Sequence, residues 1–392
     1  MNVIATYYLE ADDIKAAADA LAGEQSTGTW VRVGFETDTL MERHRAKVLD
    51  VTGNIVRVAF PFENFGPVIP MLLTTTAGNL FEMGDFKNVK LMDLEFPKEF
   101  VKEFKGPKFG IEGTKRMLGV KGRPLIGCIV KPCVGLPPAE FAEACYQAAV
   151  GGVDFIKDDE LIANPGYSQI EERTNKTAEA LDRANAEKGE KTMYAVNVTD
   201  EVDRIMENAD TAIENGANCL MLNFVTAGFS ALRVLCEDES IKVPVHCHRD
   251  MFAAFTRSDV HGIHTQVVSK LARLCGGDQV HVGAVIGKLY EGIDSVMQSV
   301  KVLKEDFYDI SPSLPVSSGG QHPGKIPENL KLLDEDALIL AGGGIFGHTD
   351  GAMAGARAMR QALDATLSEI SLEEYAKEHT ELKAAIEQWG LP

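Results

Sequence analysis

Long apolar runs, paired cysteines and blocks of positive charge are all missing from this chain. No stretch approaches the ~18 consecutive apolar residues of a membrane span, which excludes a transmembrane helix. The seven cysteines (128, 133, 145, 219, 236, 247 and 275) are odd in number and contain no Cys-x-x-Cys pair. That pattern argues against a disulfide scaffold or a zinc ribbon and suits free thiols in a reducing compartment. Basic residues number 39 against 58 acidic ones, giving a net charge of −19. Nucleic acid and anionic membranes both require basic surface, so neither is an expected partner. A phosphorylated substrate needs only a local cluster of donors and stays compatible. The opening Met1-Asn2-Val3-Ile4-Ala5 has no basic region and soon meets Glu10, Asp12 and Asp13. No secretory signal is therefore expected, and the cytoplasm is the expected location.

What the chain does contain is room and alternation. Its 392 residues, 45% apolar and 25% charged, suffice for two domains with buried cores. Residues 1–104 give short β-like runs (Val3–Leu9, Val31–Gly34, Val48–Val51, Ile55–Ala59) around a helical pattern at Asp12–Ala22. They predict an α+β domain of ferredoxin-like type with an antiparallel sheet. The Gly/Pro-bearing segment Phe104–Gly110 reads as a linker. Residues 105–392 then alternate apolar strands with helical stretches such as Ala139–Val150, Asn175–Lys188, Glu201–Asn215, Gly262–Leu274 and Gly351–Leu363. The strands are Ile126–Val130, Val153–Ile156, Met193–Val198, Cys219–Phe224, Val243–Cys247, Gln279–Gly283, Leu314–Ser318 and Ala337–Ala341. Eight such units predict a (β/α)8 TIM barrel, ahead of a doubly wound open sheet.

In such barrels the active site lies at the C-terminal ends of the strands. Those ends carry Lys131, Lys157–Glu160, Asn197, Asn223, His246–Arg249, His281, Ser317–Gly320 and Gly342–Gly344. Purely structural charges would have no reason to gather at one end. The run Asp154–Glu160 sets one amine among four carboxylates, and alternation puts Lys157 and Asp159 on one face. A buried amine among acids is costly unless compensated, and Mg²⁺, which takes hard oxygen ligands, would compensate it. His246-x-His248 lacks a third ligand at zinc spacing, so one structural and one acid–base histidine are expected, with Arg249 able to clamp a phosphate or carboxylate. Glycines bracket the loop Gly283–Leu289, which can close over substrate and carry Lys288 inward. The glycines after the seventh and eighth strands suit phosphate binding through bare backbone N–H groups. Gly342, Gly344 and Gly347 also fit Gly-x-Gly-x-x-Gly, but no further βαβ unit or ribose-binding acid follows. Lys131, placed near a metal, can act as a base.

Together these stretches make the chain resemble the RuBisCO superfamily over nearly its whole length. The resemblance rests on Ser26–Trp30, Gly106–Gly110, Ile129–Pro132, Gly152–Glu160, His246–Arg249, Gly277–Lys288, Ser318–Gly320 and Gly342–Gly344. It implies a homodimer, or a larger assembly of dimers, with the active site at the subunit interface. It implies that CO2 carbamylates Lys157 and that Mg²⁺ sits between the carbamate, Asp159 and Glu160. Lys131 would then be the base, His248 a proton shuttle, and Ser318 a holder of a substrate hydroxyl. Arg249 and His281 would form one phosphate site. Thr29 and Trp30 from the partner, with Gly320, Gly342 and Gly343, would form the other. Lys288 would polarise the carboxyl group, paired with Glu24 across the interface, and Asn79 would reach in from the partner.

The chain also departs from the family's carboxylases, which carry a second lysine where Cys133 stands. Leu161-Ile162-Ala163 and Asn197–Val202 look more like RuBisCO-like proteins of the form IV type. The enolases of methionine salvage differ at several of the retained positions and carry a lysine where Asn79 stands. The expected activity is therefore that of a Mg²⁺-dependent carbon–carbon lyase forming an enediolate from a phosphorylated keto-sugar or keto-sugar acid, first of all a decarboxylase of a 3-oxo sugar-acid phosphate. The alternatives are ribulose-1,5-bisphosphate carboxylation, then enolisation or isomerisation of a methylthio-sugar phosphate, and last a phosphate-ligand sensor without turnover.

Overall fold

Alternation of burial sets the first sheet. In β1 (Asn2–Glu10) Val3, Ala5, Tyr7 and Leu9 are fully buried and the residues between them only partly so, as a strand with one covered face requires. The computed structural model describes residues 1–28 and 31–392. β1 lies between β3 (Ile55–Pro61) and β4 (Asn88–Glu95), with β2 (Lys47–Thr52) beyond β3, all antiparallel. The helix Ile14–Glu24 begins where Asp13 accepts hydrogen bonds from the amides of Lys15 (3.1 Å) and Ala16 (3.0 Å), an N-cap that satisfies otherwise orphaned donors. Its buried face is Ala17, Ala18, Leu21 and Ala22.

One expectation in this region fails, and one strand was not expected. Val31–Gly34 forms no strand, and Val31 and Val33 are exposed. β4 goes unread in the sequence because a lysine interrupts its apolar pattern. Lys90 is nonetheless buried, its Nζ donating to the carbonyls of Thr256 (3.2 Å) and Ser258.

The second half of the chain is a closed parallel barrel. Its strands are β5 (Leu125–Ile129), β6 (Phe155–Lys157), β7 (Met193–Asn197), β8 (Cys219–Asn223), β9 (Val245–His248), β11 (Gln279–Gly283), β12 (Leu314–Ser318) and β13 (Leu338–Ala341). The eighth pairs back on the first, Leu338 opposite Leu125. The interior is filled by Leu125, Phe155, Met193, Cys219, Met221, Val316, Leu338 and Leu340, while the alternate residues pack outward with the helices. Burial on both faces is why these strands read as short continuous apolar runs.

The intervening β10 (Gly262–Ile263) belongs to the other sheet, pairing parallel with Lys90–Leu91. The helix expected from Gly262 therefore starts only at Thr265. The expected linker is also no free tether. The amides of Phe109 and Gly110 donate to Asp278 Oδ1 (2.6 and 2.8 Å), and a helix runs from Gly110 to Leu118. Gly110 has φ +52°, and a Cβ there would lie 2.3 Å from the carbonyl oxygen of Pro312. No helix among the described residues is long and apolar enough to cross a membrane.

Candidate active site

The charge run after β6 separates into four differently paired acids. Asp154, before the strand, accepts from Arg123 Nη1 and Nη2 (2.8 Å each) and from the Ile126 amide (2.9 Å). Asp158 is fully buried and accepts from Arg173 Nη2 (3.1 Å), Tyr194 Oη (2.6 Å) and the Asn197 amide (2.9 Å). Asp159 pairs with Lys131 Nζ. Glu160 Oε2 lies 3.1 Å from Lys157 Nζ, which also donates to the Asp158 carbonyl (2.8 Å). The expected strand alternation does not extend as far as Asp159. The strand stops at Lys157, alternation stops with it, and Asp159 turns to the neighbouring strand's lysine.

Strand-end amides hold this segment in place. Asn223 Nδ2 donates to the Glu160 carbonyl (2.9 Å), and Asn197 Nδ2 donates to the Ile162 carbonyl (2.9 Å). Arg173 reaches the carbonyls of Ala163 (2.6 Å) and Ser168. The chain after β6 is therefore fixed by donors from three other elements.

Above this floor opens a cavity of about 560 Å³. Lys131, Glu160, His248, Arg249, His281, Lys288, Ser318, Gly320, Gly342 and Gly343 all line it. Ten of the expected site residues thus share one space, and Lys157 and Asp159 lie buried in the segment that carries Glu160. Glu24 and Asn79 do not join them. They line a separate pocket with Asp19, Arg45, Glu82 and Asp85. Thr29 and Trp30 lie outside the described residues.

A hydrogen-bonded row of side chains crosses the barrel beside the cavity. Gln279 Oε1 meets His246 Nδ1 (2.9 Å), His246 Nε2 meets His281 Nε2 (2.8 Å), and His281 Nδ1 meets Ser318 Oγ (2.8 Å). His246 is the structural member of the His-x-His pair. His248, with Nε2 at 3.6 Å from Glu160 Oε2, faces the cavity. Burial, reinforced for His246 and His248 by the charge of Lys157, pushes all three imidazoles well below the usual histidine range. Burial thus disfavours the imidazolium form of each. Burial opposes the charge on Lys131, but its hydrogen bonds to Asp159 and to Cys133 Sγ (3.1 Å) prevail and hold the ammonium above the usual lysine range. Burial pushes Glu160 up, and Lys157 more than offsets it, leaving the carboxyl below its usual value.

These residues fit a hard divalent cation. Asp159 and Glu160 each face an ammonium, so positive charge is already required there. A carbamate on Lys157 would turn that amine into a third anionic oxygen donor. His248 Nδ1 is buried with no hydrogen-bond partner, and Glu160, His248 and Asp250 bring ligand atoms within 4.8 Å of one another.

Sequence reading missed several residues that shape the site. Glu291 is paired with Arg249 through two hydrogen bonds, one of 3.1 Å. Its partner lies 42 positions away, so no local pattern shows it. Arg173 is a helical residue whose charge looks like surface until Asp158 is seen beneath it. Trp389, near the C-terminus, lines the cavity with His322. Lys288 is held over the glycines, its amide donating to the Gly319 carbonyl (3.2 Å).

Comparison with known proteins agrees with this geometry. The ribulose bisphosphate carboxylase large-chain catalytic domain matches residues 110–389, and the large-chain N-terminal domain matches residues 1–100. A "ribulose bisphosphate carboxylase-like protein" of Archaeoglobus fulgidus is 45% identical, covering 96% of this chain and 90% of its own. The octameric carboxylase/oxygenase of Pyrococcus horikoshii superposes with a TM-score of 0.94 at 37% identity, over 99% of this chain and 93% of its own. The dimeric archaeal Rubisco of Hyperthermus butylicus gives 0.92 at 35% identity, over 100% and 96%. The chain belongs to the ribulose bisphosphate carboxylase (RuBisCO) large-chain family.

Proposed function

We propose that this RuBisCO-family member releases CO2 from a phosphorylated keto-sugar acid, the electron pair of the broken carbon–carbon bond forming an enediolate that is then protonated, as a decarboxylase of a 3-oxo sugar-acid phosphate. The observation that carries the reading is Lys157, wholly buried beside Glu160, in the segment that forms the floor of a cavity walled by Lys131, His248 and Lys288. An enzyme that only isomerises has no need of the exposed loop cation at Lys288.

Carbamylated Lys157, Asp159 and Glu160 would hold Mg²⁺, which supplies Lewis acidity to the oxygens of the reacting carbon. Lys131, which lines the cavity with its ammonium on Asp159, would give the proton that quenches the enediolate carbon. His248, neutral and facing the cavity, takes up or returns the hydroxyl proton. Lys288, which makes no ion pair among the described residues, would orient the carboxylate from which CO2 is lost. Glycines at 319, 320, 342, 343 and 344 leave backbone N–H groups open to a phosphate. At Gly342 a Cβ would lie 2.9 Å from Lys131 Cε, so a larger residue would displace the base.

The functional unit in this reading is a homodimer, or an assembly of dimers, in which the partner subunit completes the cavity with its own copies of Glu24, Asn79, Thr29 and Trp30. The separate location of Glu24 and Asn79 in one chain supports this. All seven cysteines are free, as suits the cytoplasm.

Carboxylation of ribulose 1,5-bisphosphate is the second reading, favoured by the retention of Lys131, Arg249, His281 and Lys288 around the cavity. Against it stands Cys133, whose short neutral side chain rests against Lys131 where the carboxylases place a second lysine. The test is preincubation with Mg²⁺ and bicarbonate, then ribulose 1,5-bisphosphate and labelled CO2. Acid-stable label would make the protein a carboxylase. Its absence, with CO2 released from a branched 3-oxo sugar-acid phosphate, is the expected result.

A further inference from the structure

Asp250 lines the cavity, yet neither the enediolate chemistry nor the expected Mg²⁺ set uses it. It follows the end of β9 and stands against His248, its Oδ1 3.8 Å from Nδ1. On the other side of the ring, Nε2 lies 3.6 Å from Glu160 Oε2. One imidazole thus has a carboxylate toward each nitrogen, and its Nδ1 is buried without a hydrogen-bond partner. One ligand atom from each of the three residues lies within 4.8 Å of the other two. Among the described residues, no other three Asp, Glu, His or Cys side chains gather in this way. All three face the open cavity, so a cation has a path in.

The donors of this set differ from those of Lys157, Asp159 and Glu160. They are one imidazole nitrogen and two carboxylate oxygens. Zinc holds such donors at about 2.0–2.2 Å, so shifts of roughly a few tenths of an ångström close the set. Glu160 and Asp250 have that freedom, their side chains being 27% and 39% exposed. Burial first, then the charge of Glu160, pushes the Asp250 carboxyl above the usual carboxylate range. A cation between the two acids relieves that crowding. Imidazole suits Zn²⁺, Co²⁺ and Ni²⁺, whereas Mg²⁺ keeps to oxygen ligands and water. None of the three ligands is made by CO2. One group opposes a cation here, the Lys157 ammonium 3.1 Å from Glu160 Oε2.

We infer that Glu160, His248 and Asp250 form a second cation site, for a transition ion such as Zn²⁺ or Co²⁺, which fills without CO2. Glu160 belongs to both sets, so one cation excludes the other, and His248 is withdrawn from the substrate. The consequence, inhibition of the Mg²⁺-dependent enzyme, rests on the reaction proposed above. The site itself does not.

Co²⁺ is the probe, because its visible absorption reports the ligands around it. The full-length parent, Lys157→Ala and the double variant Lys157→Ala with Asp250→Ala are titrated with Co²⁺ in CO2-free buffer, by calorimetry and absorption. The parent should take up one equivalent. Lys157→Ala should bind it more tightly, by about threefold or more, since the opposing ammonium is gone. Adding Asp250→Ala should weaken binding at least tenfold and remove the absorption band. Cobalt binding by Lys157→Ala no tighter than the parent's overturns the inference, because the cation then depends on the lysine's own set. A folded double variant that binds as Lys157→Ala does also overturns it. Should the double variant fail to fold, the comparison of parent with Lys157→Ala decides alone. Mg²⁺ binding that shows no CO2-dependence, beside the expected cobalt result, would overturn the Mg²⁺ reading and leave this site standing.

Discussion

Replacing Arg173 with methionine should damage the site without touching the cavity. Arg173 and Asp158 are both fully buried, and the guanidinium also caps the carbonyls of Ala163 and Ser168. Methionine matches much of the arginine stem and supplies none of its donors. Asp158 keeps Tyr194 Oη and the Asn197 amide but loses its counter-charge. Breaking a buried pair from one side costs about 3–5 kcal/mol, because the remaining charge stays desolvated. The two carbonyls add about 1–3 kcal/mol between them where water cannot reach them. Local relaxation offsets part of this, so about 4 kcal/mol is the expected loss. At ~2–4 °C per kcal/mol for domains of 150–250 residues, melting should fall by roughly 8–16 °C. Multi-domain chains seldom melt in one step. Calorimetry should therefore be paired with hydrogen exchange of β6 and β7, which should lose protection before β1 does. Asp158→Asn in the Arg173→Met background should recover part of the loss. A fall below 2 °C, or equal loss of protection in β1, would refute the claim that this pair fixes the segment carrying Lys157 and Glu160.

Four further outcomes are expected. Lys157→Ala should abolish Mg²⁺-dependent turnover and the CO2-dependence of metal binding while melting within a few degrees of the parent; retained turnover would remove Lys157 from the site. Lys288→Ala should slow carboxyl transfer ~10²-fold, the scale of losing one charge-stabilising donor, yet leave proton exchange at the substrate carbon within a few fold; equal losses would make it a binding residue only. Cys133→Lys should raise incorporation of labelled CO2 from ribulose 1,5-bisphosphate above background, and no gain would spread the difference from the carboxylases over the rest of the pocket. The fourth concerns acid. Hydrogen bonds from Gln361 and Arg357 hold the Glu381 carboxyl down at about 2. A depressed folded-state value stabilises above the ordinary glutamate value of ~4.3 and is lost as pH falls toward 2. The helix Thr380–Trp389 should therefore loosen in that window, seen as a change in Trp389 fluorescence that Glu381→Gln already shows at neutral pH.

Where the fold was legible, burial and periodicity coincided. The eight barrel strands carry apolar residues on both faces, so each stands out as a short run between helical patterns, and every one was found to within two residues at either end. β4 and β10 escaped because what supports them lies far away in sequence: the buried Lys90 of β4 is satisfied by the carbonyls of Thr256 and Ser258, and the two-residue β10 is a strand only through its pairing with Lys90–Leu91. The site divides along the same line. Residues placed by a strand end, such as Lys131, Lys157, His248 and Ser318, follow from the position of that end, and the structure gathers them in or beneath one cavity. Glu291 and Arg173 do not follow, since each acts on a partner reached through the fold. The difference bears on function. Strand-end groups fix the class of chemistry, because their geometry comes with the barrel. Residues that pair across the fold decide which of the strand-end groups are free to act, and Arg249 is the clearest case. A guanidinium that reads in the sequence as a phosphate clamp is, in the folded chain, half of a closed ion pair.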